Sequence, residues 1–126
     1  MKRLLSIVIF GFLLSQLPVY SQESVNTIVV QNYYWAKEGK AQEVYEHRLY
    51  ASEVRKKLGL KVGRVLKRMR IDGMLSHVIW ECEYSSWDER EEDVRKLSES
   101  GAFEEVTKKM RTLIDKFDRG VYLIKN

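Results

Sequence analysis

The segment QNYYWAKEGKAQEVYEHRLY, residues 31–50, contains the change of periodicity that decides the fold. Residues 25–35 are rich in β-branched and aromatic types, which favour a strand, and AKEGK is typical of a turn. From residue 41 to 58 the inward positions recur at steps of three and four, which predicts an amphipathic helix ending before Gly59. These positions are Val44, His47, Tyr50, Ala51, Val54 and Leu58.

A β-hairpin is predicted next, with strands over 62–71 and 76–84 joined by Asp72-Gly73. Both turn residues tolerate positive φ, so a two-residue turn fixes the register of the strands. That register puts apolar pairs on one face of the sheet and charged pairs on the other, and a slip by one residue would mix the faces. The predicted pairs are Val65 with Trp80, Arg64 with Glu81, and Arg68 with His77.

A second helical region follows. Ser86 and Glu89 match a capping box, the pattern falters at residues 98–101, and it resumes at Ala102. The later apolar stripe consists of Phe103, Val106, Met110, Leu113, Ile114 and Phe117, and residues 121–124 form a last short strand after Gly120. The order β-α-β-β-α-β predicts an α+β, ferredoxin-like fold with a four-stranded antiparallel sheet and two helices on one face.

Residues 1–21 have the layout of a signal peptide: two basic residues, an apolar run over 4–14, and Ser21 before the expected cut. The alternative is an uncleaved anchor, but the run is shorter than the roughly 20 residues that span a bilayer. We therefore expect a mature domain over 22–126, secreted or periplasmic, with no stable membrane anchor.

The expected mature domain has little net charge. Cleavage of the leader takes away two basic residues and lowers the formal charge from +4 to +2. This near balance argues against nucleic-acid binding. The single cysteine, Cys82, excludes an intramolecular disulfide, and two histidines with one cysteine give no cluster at zinc-ligand spacing. No metal and no cofactor is predicted.

Alternation along the strands divides the sheet into two faces. One face is almost wholly apolar and belongs under the helices. The opposite face, called here the far sheet face, mixes charges with a large apolar area, which predicts a homodimer packed through it. Its apolar members are Val29, Tyr33, Trp35, Leu66 and Ile79.

Three segments, YYWAKEGKAQEVYE, HVIWECEYSSWDEREE and GAFEEVTKKMRTLID, make residues 26–124 resemble the dimeric α/β-barrel superfamily. More narrowly, they are similar to the NIPSNAP and antibiotic-biosynthesis-monooxygenase-like families. The resemblance implies homodimers with paired sheets and a pocket between sheet and helices in each subunit. It also implies relatives that include cofactor-free oxygenases, haem-degrading enzymes and lactone isomerases.

Six residues are candidates for such a pocket. His47 is the candidate catalytic residue, since imidazole titrates near neutral pH, although a packed histidine is the plainer alternative. Asn32, Tyr34, Tyr50, Trp80 and Tyr84 are the candidate ligand-binding residues. Haem-degrading relatives use an asparagine, a tryptophan and a second-helix histidine. Asn32 and Trp80 match the first two, but residues 86–117 contain no histidine.

These observations predict an exported homodimer that binds a small apolar or aromatic molecule between helices and sheet. Cofactor-independent oxygenation or isomerisation is the activity that the resemblance implies for such a site. The alternatives are a non-catalytic structural or accessory dimer and a haem-binding protein. The sequence supports no choice between an enzyme and a binding protein.

Overall fold

The computed structural model describes residues 26–70 and 73–125, so the predicted leader and Asp72 of the predicted turn lie outside the described residues. In that part the strands are β1 (Thr27–Ala36), β2 (Arg64–Lys67), β3 (Val78–Tyr84) and β4 (Ile114–Ile124). The helices are α1 (Ala41–Lys57), α2 (Trp87–Ser100) and α3 (Glu104–Leu113). The antiparallel strands follow the order β2-β3-β1-β4, which confirms the ferredoxin-like fold.

The register of β2 and β3 is the predicted one. Arg64 pairs with Glu81 and Val65 with Trp80, and the Arg68 amide donates to the His77 carbonyl oxygen at 2.9 Å. Both strands are shorter than predicted. The pairing of the strands therefore agrees with the predicted register, while the positions of the strand ends do not.

The two faces of the sheet also separate as predicted. Alternate side chains of β1 and β3 are buried beneath the helices and form the core with Val44, Met110 and Leu113. Burial raises the pKa of the Cys82 thiol, which is inside this core. The core members from the sheet are Ile28, Val30, Tyr34, Ala36, Val78, Trp80, Cys82 and Tyr84.

The far sheet face has a polar network in its centre. Glu81 accepts from Arg64 Nε at 2.6 Å and from Gln31 Nε2 at 2.5 Å, and the hydrogen bond from Gln31 is the first cause of a lowered Glu81 pKa. The Tyr33 hydroxyl lies 2.6 Å from that of Tyr122, and burial raises its pKa to about 12. Arg64 and Glu81 on this face are thus paired within one chain.

The second helical region divides where the sequence predicts. The Glu89 amide donates to Ser86 Oγ at 3.1 Å, which caps α2, and Gly101 ends that helix with a φ of 67°. This left-handed conformation favours glycine. The Glu89 carboxylate reaches one residue further back than a capping box requires and accepts from Ser85 N and Oγ at 2.5 and 2.6 Å.

The predicted end of this region is wrong. The helix stops at Leu113, and Ile114 to Ile124 form one strand, so Phe117 lies on a strand and Gly120 does not break it. The reason is tertiary: β4 pairs with almost the whole of β1, which overrides a weak helical pattern. At Gly120 a Cβ atom would lie 2.4 Å from the Tyr122 hydroxyl, so a larger residue there would displace the Tyr122 ring.

The buried side of α1 differs in part from the predicted one. Val44, His47 and Ala51 are buried as predicted, whereas Tyr50 and Leu58 are exposed. Three polar residues take part instead: Arg48, Ser52 and Arg55. None of the helices in the described part of the chain is both long and apolar enough to cross a membrane.

Candidate functional site

A cavity of about 430 Å³ lies between the helix side of the sheet and the three helices, and we call it the helix–sheet cavity. Four of the predicted site residues line it together: Asn32 and Tyr34 from β1, and Trp80 and Tyr84 from β3. Its helical walls include Arg48 of α1 and Met110 of α3. The alternation of side chains along the strands is what brings the four predicted residues to one place.

The cavity exists because α2 packs loosely on the sheet. Of the fourteen residues of α2, only Asp93 is buried, while Val94 and Leu97 line the cavity without filling it. Val94 is 47% exposed although it is apolar. The amphipathic stripe of α3 packs more tightly, with Val106, Met110 and Leu113 buried. The space is thus left under one helix.

His47 and Tyr50 lie elsewhere. They line a groove of about 490 Å³ between α1 and α3, together with Glu43, Glu46 and Glu105. His47 is buried and its Nε2–H donates to the Val106 carbonyl oxygen at 2.7 Å, while Tyr50 is 57% exposed and stacks on the imidazole. Their catalytic and binding roles stay predictions, and the helix–sheet cavity contains neither residue.

Within the described ranges, no group of three or more histidine, cysteine or acidic side chains is arranged to hold a metal ion.

Arg55 forms the polar link between α1, α2 and β3. Its Nη2 forms an ion pair with Asp93, its Nε donates to the Lys61 carbonyl oxygen at 2.7 Å, and the Tyr84 hydroxyl donates to Asp93 Oδ2 at 2.9 Å. Burial and the neighbouring thiol of Cys82 raise the pKa of Tyr84 above its ordinary value, so its phenol remains a donor. This cluster satisfies two buried charges with each other.

Arg48 has no such cluster. Its side chain is 4% exposed, and its guanidinium carbon lies 5.1 Å from the ring centroid of Trp80 and 5.9 Å from that of Tyr34. Neither Nε nor Nη2 has a hydrogen-bond partner among the residues that the structure describes, and the same holds for Ser52 Oγ one turn further along α1. Burial lowers the pKa of Arg48, against the effect of Tyr34, yet guanidinium remains charged at neutral pH.

The mouth of the cavity is also basic. Arg119 is exposed on β4, and its Nε donates to Asn32 Oδ1 at 2.7 Å, which fixes the guanidinium over the opening. Arg90 and Arg111 line the cavity as well, whereas the acidic side chain of the lining, Asp93, is already paired with Arg55. The cavity lining therefore carries an excess of positive charge.

Comparisons with known proteins give the same fold. No protein-family model matches the chain, and no curated protein does. A NIPSNAP family protein from Agrobacterium tumefaciens is similar at 26% identity, over 79% of this chain and 94% of its own, with a TM-score of 0.61. The chain has a NIPSNAP-like ferredoxin fold. This confirms the resemblance predicted from the sequence.

Two further structures share this NIPSNAP-like fold at identities that support the fold alone. One is a NIPSNAP-like domain protein from Burkholderia xenovorans, at 18% identity over 79% of this chain and 86% of its own, with a TM-score of 0.61. The other is a dimeric ferredoxin-like protein from an uncultured marine organism, at 8% identity over 81% and 90%, with a TM-score of 0.56.

Within this fold, sequence reasoning missed the arginines of the site. A signal was present: Val44, Arg48, Ala51 and Arg55 follow steps of four, three and four, the spacing of one helix face. The prediction from the sequence used the apolar residues and the histidine on that face and did not include the arginines. Long basic side chains are rarely buried, so the omission follows from the ordinary rule.

Proposed function

We propose that the protein binds one small molecule with an apolar or aromatic body in the helix–sheet cavity of each subunit. The observation that carries this proposal is the cavity itself, about 430 Å³ between aromatic side chains of the sheet and apolar side chains of α2 and α3. A concave, mostly apolar space with a few polar groups is the usual form of a small-molecule site. A purely structural accessory dimer would have no need for this space.

Binding without catalysis is the function that the arrangement supports best. Among the described residues that line the cavity there is no histidine and no cysteine, and Asp93 is engaged by Arg55 and Tyr84. His47 lines the groove between α1 and α3 instead, and its Nε2–H donates to the Val106 carbonyl oxygen. A group suited to proton transfer at neutral pH is therefore missing from the lining.

A neutral fluorescent probe, N-phenyl-1-naphthylamine, tests the site. We expect its fluorescence to rise on saturable binding of one probe per chain. Met110→Trp places a larger side chain in the cavity, because Met110 is buried and lines it, and this variant should lose the signal. Met69→Trp is the matched control, since Met69 is 92% exposed and outside the lining.

Two results would reject the cavity as the site. The first is that the purified protein gives no saturable signal. The second is that Met110→Trp and Met69→Trp bind the probe equally well while both remain folded by circular dichroism.

The proposal includes a homodimer formed through the far sheet face. Leu66 and Tyr122 are 39% and 49% exposed in the single chain, and Tyr33, Trp35 and Ile79 are only half-buried. One structure with the same fold is described as dimeric, which supports a dimer here. Paired charges such as Arg64 and Glu81 cost less to cover than unpaired ones.

Leu66→Glu tests this dimer with little risk to the fold, because the side chain is already partly exposed. We expect a dimer for the parent protein in light scattering and a monomer for the variant. Leu49→Glu is the matched control, since Leu49 is 41% exposed but lies on α1. A monomeric parent protein would reject the dimer.

We also propose that residues 1–21 direct export and are removed. The support is the basic start, the apolar run and Ser21 before the cut. N-terminal sequencing of the exported protein should begin at Gln22. Finding an intact Met1 on protein that stays in the cytoplasm would contradict this.

A further inference from the structure

We propose that the molecule bound in the helix–sheet cavity carries a carboxylate, and that Arg48 is the residue that binds it. This inference rests on the proposed function and specifies the class of ligand: a small carboxylic acid with a flat, apolar body. The carboxylate would supply the counter-charge that Arg48 lacks in the described part of the chain.

The unpartnered atoms of Arg48 have the geometry that a carboxylate needs. Nε–H and Nη2–H lie on the same edge of the planar guanidinium, and both are without a hydrogen-bond partner in residues 26–70 and 73–125. Two parallel N–H groups match the two oxygens of a carboxylate. A side chain with one complete free edge is therefore suited to a planar, bidentate anion.

The surroundings of Arg48 limit how the ligand enters. Trp80 and Tyr34 lie within 6 Å of the guanidinium, so rings rather than water surround it. The free edge is shielded in this conformation. An anion would reach it only after the side chain turns toward the cavity that it lines. The apolar body of the ligand would then lie against the aromatic wall, with its charged end at Arg48.

The other charges at the cavity favour an anion as well. Asp93 is neutralised by Arg55, which leaves Arg90, Arg111 and Arg119 as further charged groups facing the space. Arg119 is exposed at the mouth, where salt screens its charge, so we assign it attraction of the ligand rather than most of the affinity. Arg48 is inside and is screened least.

The test compares two molecules of nearly the same shape, 2-naphthoate and its neutral amide, 2-naphthamide, by isothermal titration calorimetry at neutral pH. We expect the purified protein to bind the carboxylate about 10- to 100-fold more tightly, the difference made by a charge-assisted pair of hydrogen bonds. Arg48→Met should remove most of the preference for naphthoate and leave naphthamide binding unchanged.

Two further variants separate the effect of the paired N–H groups of Arg48 from the effect of its charge. Arg48→Lys keeps the charge without the paired N–H groups, so it should recover only part of the preference for the carboxylate. Arg95→Met removes an exposed arginine of α2 that is already paired with Glu92 and Glu99, and it should leave both affinities unchanged. The preference in Arg119→Met should fall less than in Arg48→Met.

Several outcomes would overturn the inference. Equal affinity for the two compounds, no binding of naphthoate, or a preference that is undiminished in Arg48→Met would each reject Arg48 as a carboxylate site. Saturable binding of the neutral amine probe would in those cases still support the proposed function. A dimer that dissociates in Arg48→Met would show that a second copy supplies the counter-charge, and it would reject a ligand carboxylate.

Discussion

Arg48 and Arg55 lie about two turns apart on the same side of α1, and both are 4% exposed. Both guanidinium groups also lie about 5 Å from the ring centroid of Trp80. They differ in their hydrogen bonds. Arg55 is bonded to Asp93 and to the Lys61 carbonyl oxygen, while two nitrogens of Arg48 have no partner in the residues described.

This difference separates a structural arginine from one available to a ligand. A buried charge is normally paired, since removal from water costs several kcal/mol per ion. Arg55 is paired with Asp93 within the fold, and this ion pair links α1 to α2. Arg48 has no counter-charge in the described part of the chain, so only its contacts with Trp80 and Tyr34 offset that cost until an anion binds. The stability of variants at the two positions should therefore change in different directions.

The largest effect is expected for Asp93→Ala. Removal of this carboxylate leaves Arg55 buried without its counter-charge and the Tyr84 hydroxyl without its acceptor. The expected loss is about 3–5 kcal/mol in the free energy of unfolding, measured by urea denaturation. Glu91→Ala is the matched control, because Glu91 is an exposed acid of the same helix.

The double variant Arg55→Met with Asp93→Leu completes this experiment. It removes both charges, so much of the lost stability should return. A loss of less than about 1 kcal/mol in Asp93→Ala, the size of an exposed pair, would show that Arg55 is not dependent on Asp93. The two arginines would then be equivalent.

Arg48→Met should have the opposite effect on stability. It removes a buried charge with two unpaired nitrogens and keeps an unbranched side chain of similar length. Loss of the contacts with Trp80 and Tyr34 costs about 0.5–2 kcal/mol, which is less than the burial penalty. We expect the free energy of unfolding without ligand to be unchanged or higher by about 1–3 kcal/mol. A loss as large as that of Asp93→Ala would mean that Arg48 is structural.

Ser52→Ala is a smaller test of the same region. The Ser52 hydroxyl is buried one turn from Arg48 and has no partner among the atoms of the described chain. Alanine removes the unsatisfied group and favours the helix, so we expect a gain of about 1 kcal/mol. Ser98→Ala on α2, where the side chain is exposed, serves as the control for propensity alone. Equal gains at both positions would show that the Ser52 hydroxyl costs nothing.

The parts of this arrangement that depend on period and register are predictable from the sequence. Alternation places Asn32, Tyr34, Trp80 and Tyr84 on one face, and the predicted register pairs Arg64 with Glu81. Both follow from the side-chain period of two, which tertiary contacts do not alter.

Tertiary pairing determines the rest. The segment at Ile114–Phe117 continues the helical pattern of apolar residues in the sequence. In the fold it is part of β4, because it pairs with the neighbouring strand β1. The sequence also does not predict that Arg55 is paired and Arg48 is not, because Asp93 forms an ion pair with Arg55 and not with Arg48. The residues on one face of a helix can be predicted from the sequence. The partner of a charged residue on that face cannot, because it belongs to another helix or strand.

The smallest effect on stability is expected for a substitution at Glu89. This residue pairs with Lys61, which in turn accepts a hydrogen bond from Arg55. Its carboxylate accepts from Ser85 and pairs with Lys61 at 2.9 Å, and the Lys61 carbonyl oxygen in turn accepts from Arg55. The hydrogen bond from Ser85, followed by Lys61, lowers the pKa of Glu89 to about 2. Because the pKa is lower in the folded state, the stabilisation is present above the ordinary carboxyl pKa of 4.5 and disappears as the pH falls toward 2.

Glu89→Gln should therefore cost about 0.5–1 kcal/mol at neutral pH, a small value because the side chain is 34% exposed. The difference from the parent protein in urea midpoints should shrink steadily below pH 4.5. Glu91→Gln provides a control without the contacts to Ser85 and Lys61. A difference that stays constant over that pH range would show that the Glu89 charge plays no part, and Arg55 would then depend on Asp93 alone.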